Sequence, residues 1–218
     1  MFMNNGQEQG KRYWQNWDEG EAARRIDEYW IASEGYWRRM LVQDIRREFG
    51  TNVPIVEIGC GTGLIFQALL DEGIVTEHSY LGGDVSTNML TIARERFPQA
   101  HLRELDVYNL DLPSHSQPNV VAIHVLQHLP DYQEALHELL RVTQQKLYMV
   151  SWFQMEMEDR TQFSPPSDRW DNQQFFNNRY SLPKFLASLY AGSEKPIADV
   201  RIHHFEGDSY GIAVSFVS

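Results

Sequence analysis

The chain has 218 residues, 42% apolar and 12% aromatic, which is enough for one compact domain with an appendage and a real core. A single cysteine excludes an internal disulfide and any cysteine-cluster metal site. The net charge of −11 lies mainly on residues 51–218, where 21 acidic groups face 11 basic ones, so no basic stripe invites a nucleic acid, and no apolar run nears the ~20 residues of a membrane span.

Residues 1–10 are polar, lack a signal-peptide core and predict a frayed start to a cytoplasmic chain. Asp18 and Glu21 have capping-box spacing and predict a helix to about Trp30. A second helix begins around Ser33. Its apolar stripe is Tyr36, Trp37, Met40, Leu41, Ile45 and Phe49, with paired arginines between, and Gly50-Thr51-Asn52 ends it. Val53 to Ile58 is short, apolar and crossed only by Glu57, as a buried strand should be. Gly59, Gly61 and Gly63 alternate with small residues, and an apolar helical pattern over 64–72 follows.

Strands are next predicted at 78–83, ending at Asp84, at 101–107 and at 119–125. Between them Ser86 caps a helix over 87–97, stopped by Pro98. Asp131 and Glu134 again have capping-box spacing and open a helix over 131–145, followed by a strand over 146–152. Residues 153–180 break the pattern. They are long, polar and aromatic, with Phe163, Trp170, Phe175, Phe176 and Tyr180, and predict a lid. A helix over 181–190 and a hairpin of strands, about 197–206 and 209–217, close the chain. Alternating strands and helices predict a doubly wound α/β sheet of seven strands, mostly parallel, with an antiparallel C-terminal hairpin and two N-terminal helices. Residues 1–50 would form a helical cap and 51–218 the main domain.

The glycine spacing decides among cofactors. It is G-x-G-x-G, whereas the dinucleotide fingerprint is G-x-G-x-x-G and a Walker loop ends in G-K-[ST]. Glu57-Ile58-Gly59-Cys60-Gly61-Thr62-Gly63 resembles the first motif, E/D-x-G-x-G-x-G, of the class I S-adenosylmethionine-dependent methyltransferases. Further features follow in the order of that family: Asp84 at a strand end, Leu105-Asp106-Val107 at the next, and VVAIHVLQHLPD at 120–131, similar to its strand-four motif. The resemblance covers residues 53–152 by motif and the remainder by layout. It implies S-adenosyl-L-methionine as cofactor, with Glu57, Gly59, Gly61 and Gly63 under its methionine part. Asp84 would accept from the ribose hydroxyls and Asp106 from the adenine amino group, and Val85, Met89, Val107 and His124 join them in the implied cofactor-binding set.

Other positions keep two readings. Tyr13, Trp14 and Trp17 are core packing or a wall over the cofactor, since aromatic faces attract a sulfonium. Cys60 reads as a small buried residue, because no base stands at a motif spacing. His124 and His128 sit four apart. They are hydrogen-bonded structural residues, or catalytic with His124 as general base, or a metal pair completed by His203 and His204; the assignment made is catalytic for both, with no metal. The implied activity is methyl transfer to a small organic acceptor, on oxygen or nitrogen, by in-line displacement. The alternative is a cofactor-binding regulator or scaffold without turnover. A nicotinamide-binding enzyme is disfavoured by the glycine spacing.

Overall fold

The computed structural model describes residues 14–19, 21–33, 36–165, 167–168 and 171–217. Two helices lead: α1 (Ala22–Ala32) and α2 (Tyr36–Phe49). There follow β1 (Ile55–Ile58), α3 (Leu64–Asp71), β2 (Tyr80–Asp84), α4 (Thr87–Arg96), β3 (His101–Glu104) and β4 (Gln117–Ile123). A 3-10 turn at Leu126–His128 leads to α5 (Gln133–Val142), β5 (Thr143–Gln154), β6 (Tyr180–Ser181) and α6 (Leu182–Gly192). The chain ends on β7 (Ile197–His204) and β8 (Ser209–Phe216).

The sheet runs β3-β2-β1-β4-β5-β8-β7, with the short β6 beside β5. Strands β1 to β5 are parallel, and β8 enters antiparallel between β5 and β7. Side chains alternate across a strand, so β4 serves two cores at once. Val120 and Ala122 pack with the faces of α5 and α6, while Val121 and Ile123 pack with α2 and α3. Leu136, Leu139 and Leu140 recur at helical spacing on the buried face of α5, each contributing about 1.5–3 kcal/mol by leaving water. Helix α2 is pinned from below by a polar contact, the Tyr148 hydroxyl donating to Asp44 at 2.6 Å. No helix among the described residues is long and apolar enough to cross a membrane.

Four sequence expectations need correction. The capping box at Asp18 does not form. Helix α1 starts at Ala22, and Asp18 Oδ1 instead accepts from the Ser86 hydroxyl at 2.5 Å and the Asn88 amide at 3.0 Å, capping α4 from a distance. The third strand stops at Glu104: Leu105 N makes the last ladder bond to Asp84 O, and a tight turn over Asp106–Asn109 follows at once. Helix α5 ends at Val142, since Thr143 already pairs with Gln117 in the sheet. Asp131 accepts from Gln133 N at 2.7 Å, an Asx turn just ahead of α5, without a return bond from Glu134. The segment after β5 folds back on itself, with bridges Arg160 to Arg179 and Phe163 to Phe176. Tyr180 then rejoins the sheet opposite Phe153.

Candidate active site

The chain winds from β1 outward through β2 and β3, then returns to β4 and winds the other way. The crevice beyond the carboxyl ends of β1 and β4 is therefore a topological switch point, where open α/β sheets take ligands. A cavity of about 750 Å³ lies there. Its size is toward the upper end of the roughly 300–1,000 Å³ typical of small-molecule sites.

The glycine turn forms one end. Gly59 (φ 76°) donates its amide to Gly83 O at 2.7 Å, and a Cβ on it would sit 2.3 Å from Val125 Cγ2. Only glycine meets both conditions. Gly61 N donates to Asp84 Oδ2 at 2.8 Å, and Ser86 N donates to Oδ1 at 2.9 Å. The carboxylate at the end of β2 is thus bolted to the loop at the end of β1, and burial pushes Asp84 up to about 6. Glu57 is fully buried below it and accepts from the Tyr80 hydroxyl at 2.5 Å. Burial pushes Glu57 up to about 8, so it carries a proton at neutral pH. Glu57, Gly59, Gly61, Asp84, Val85, Met89 and Val107 all line the cavity. Gly63 stands behind it as the left-handed cap of α3.

Asp106 does not line the cavity. Leu105 and Val107 do, while Asp106 Oδ1 accepts from Tyr108 N at 2.9 Å inside its own turn. The tight turn that shortens β3 is what turns this carboxylate aside.

Two histidines occupy the other end. His124 closes β4 in the left-handed region (φ 54°), a conformation that a non-glycine side chain rarely takes outside constrained sites. Its ring Nδ1 lies 2.9 Å from Gln127 Nε2, and Gln127 Oε1 accepts from the Ser151 hydroxyl at 2.9 Å. His128 Nδ1 lies 2.5 Å from the carbonyl of Phe176. Both rings are near Trp152, at centroid distances of 6.2 and 6.1 Å. Burial lowers both to about 4, so both are neutral at pH 7. His203 and His204 do not join them. His203 lies between Asp44 and Glu48, 3.4 Å from each, against α2. No group of three or more metal-capable side chains occurs among the described residues.

The N-terminal segment and the lid close over this cavity together. Trp17 lies tilted against Phe175, with ring centroids 4.1 Å apart, and meets His128 edge-on at 5.4 Å. Asn16 donates to Gln174 O at 2.8 Å, and Arg25 donates to Asp168 O at 2.7 Å. Trp30 covers the glycine turn, 3.6 Å from where a Gly61 Cβ would be. Tyr13 lies outside the described residues, as does Trp170 of the predicted lid aromatics. Sequence reasoning missed Trp30, Gln127, Ser151 and Trp152. Gln127 stood inside the quoted strand-four motif, but nothing in the sequence marks its pairing with Ser151 across two strands.

The residues fit a nucleoside-sulfonium cofactor. Asp84 offers two carboxylate oxygens beside a glycine cradle, and the buried Thr62 hydroxyl, in that cradle, has no hydrogen-bond partner among the described residues. Fold and cradle together define the class I S-adenosylmethionine-dependent methyltransferase architecture. Residues 56–150 match the family model described as "Methyltransferase domain", so this part of the chain is a domain of that family.

Relatives agree. A demethylmenaquinone methyltransferase of Listeria welshimeri is 30% identical over 164 residues, covering 71% of this chain. The chain spans 64% of that relative's length. Among solved structures, DesVI of Streptomyces venezuelae superposes with a TM-score of 0.64 at 14% identity, covering 91% of this chain and 100% of that one. A phosphoethanolamine N-methyltransferase of Haemonchus contortus, solved with S-adenosyl-L-methionine, gives 0.59 at 14% identity over 84% of this chain and 53% of its own. These two share the fold.

Proposed function

We propose that the chain transfers a methyl group from S-adenosylmethionine to a small organic acceptor bound between the two histidines, Trp152 and the lid. One observation carries the reading. A cradle built for a nucleoside, at Gly59–Asp84, opens into the same cavity as two buried neutral imidazoles at the end of β4. When bound, the cofactor supplies an electrophilic methyl on a leaving group that needs no activation. The work left to the protein is alignment and exclusion of water. Asp84 would accept from the ribose hydroxyls, while the Gly59 and Gly61 backbones leave room for the amino-acid part. Trp17 and Phe175 would cover the sulfonium with aromatic faces. The cap proposed for residues 1–50 is supported, among the described residues, by Asp18 and Arg25, which fasten this segment to α4 and to the lid.

The demethylmenaquinone named for the Listeria relative directs the acceptor search to oxygen-bearing rings, with an activated ring carbon added to oxygen and nitrogen as the methylated atom. The cavity suits such a ring, since aromatic side chains dominate its acceptor end. Calorimetry with S-adenosylmethionine and NAD, followed by turnover with phenols, quinols and amines, tests the proposal. Binding of NAD instead of S-adenosylmethionine would refute it. Cofactor binding without turnover on any acceptor would favour a regulator or scaffold.

A further inference from the structure

The two histidines hold their ring protons on opposite nitrogens, and groups outside the glycine motif decide this. A carbonyl oxygen only accepts, so His128 Nδ1 must donate to Phe176 O, which leaves the lone pair on His128 Nε2. His124 is set by a buried relay. The Ser151 hydroxyl lies in the core, and the acceptor it meets is Gln127 Oε1. The amide of Gln127, equally buried, therefore turns Nε2 toward His124 Nδ1. The reverse amide orientation would strand the Ser151 proton without an acceptor in the core. Since Gln127 donates, His124 Nδ1 accepts, and the ring proton of His124 lies on Nε2.

We propose that Ser151 and Gln127 are positioning residues that make His124 a hydrogen-bond donor and leave proton removal to His128, so that the acceptor is a ring carrying an ionisable hydroxyl and a second, accepting oxygen. The proposal rests on the methyl-transfer reading above and reverses the role that sequence alone assigned to His124. The acceptor's O–H proton passes to His128 Nε2, while Nδ1–H stays on Phe176 O. The electron pair left on the acceptor, at oxygen or at a conjugated ring carbon, forms the bond to the methyl carbon. The methyl–sulfur bond breaks with its pair on sulfur, giving a neutral thioether. His124 Nε2–H donates to the second oxygen, which takes up part of the developing negative charge. An ammonium, which has no lone pair, would set N–H against the His124 N–H. A carboxylate would set negative oxygen against the His128 lone pair. Both rings are held neutral by burial, and an anionic oxygen forming beside His128 would raise its proton affinity as the proton arrives.

The test is long-range proton–nitrogen NMR of the full chain with labelled histidine, bound to S-adenosylhomocysteine. The expected spectrum has a pyridine-type Nδ1 at His124 and a pyrrole-type Nδ1 at His128. Gln127→Glu should move the His124 proton to Nδ1 and weaken binding of a catechol, neutral at pH 7, at least tenfold, while affinity for S-adenosylhomocysteine stays within twofold. If that variant does not fold, Ser151→Ala should mix the two His124 tautomers and leave His128 unchanged. A wild-type His124 protonated on Nδ1 would overturn the proposal. Equal affinity of the complex for the catechol and its dimethyl ether, which has no proton to give His128, would do the same. Failure to bind S-adenosylhomocysteine would instead strike at the methyl-transfer reading, and the histidine spectrum of the free chain would still decide the tautomers.

Discussion

Replacing Glu57 by Gln should flatten the pH dependence of stability above pH 6.5. Glu57 is fully buried, and its carboxyl is raised from 4.5 to about 8 in the folded chain. In the unfolded chain it has released its proton well before that point. Between those values the native state holds a proton that the unfolded state has lost, so stability falls as pH rises. Asp84 is half titrated at about 6 and the unfolded-state histidines at 6.5, so their slopes run into this window, but they are common to both proteins and cancel in the comparison. At about 1.4 kcal/mol per pH unit, the stretch from 6.5 to 8 amounts to roughly 2 kcal/mol. Glutamine is close in shape, keeps an acceptor for the Tyr80 hydroxyl and cannot ionise. Urea unfolding of the cofactor-free chain should show the wild type losing that amount relative to the variant across the window. Parallel curves for the two proteins would refute the assignment of a buried, protonated Glu57.

Asp84→Asn should weaken S-adenosylmethionine and S-adenosylhomocysteine binding by roughly 1–3 kcal/mol in calorimetry, because the second carboxylate oxygen is lost as an acceptor. Gly59→Ala should cost clearly more than Gly73→Ala in a denaturation curve. Both glycines have positive φ, which costs about 1–2 kcal/mol for an L side chain, but only the Gly59 position also drives a methyl into Val125. Acidification from 6.5 toward 4 should destabilise the chain partly through His124 and His128, since the unfolded state binds protons there that the native state excludes; His128→Gln should remove part of that loss. Arg25→Ala should change global stability by less than about 1 kcal/mol, as befits a half-exposed ion pair, yet speed proteolytic cleavage within residues 155–168 by freeing the lid from α1.

The frame was legible because two periodicities never conflict in it. The run at 119–125 is apolar on both faces, and only a strand buried on both sides needs that. The glycine turn and the place of Asp84 at a strand end were legible for a related reason: the turn conformation and the strand end are both marked within a few residues of sequence. Asp106 misled as to its place because that depends on the turn closed by Asn109 N on Asp106 O directly after β3, which takes it off the cavity lining. Asp18 misled in the same way, since the amides it caps belong to a helix 70 residues away. The Ser151–Gln127–His124 chain could not be read at all. Its members come from β5 and the turn after β4, and only the register of those two strands brings them together.

The bond from His128 to the Phe176 carbonyl has a consequence in time. Phe176 belongs to the segment that folds over the cavity, not to the sheet. Were that segment lifted, nothing would pin the His128 proton to Nδ1, and the lone pair would no longer be reserved for an incoming hydroxyl. If His128 takes the proton as proposed, closure and arming would be one event. A chain caught open would hold its methyl donor beside an imidazole of either tautomer, and would be slow to spend the methyl on water or on a stray molecule before the right ring is enclosed.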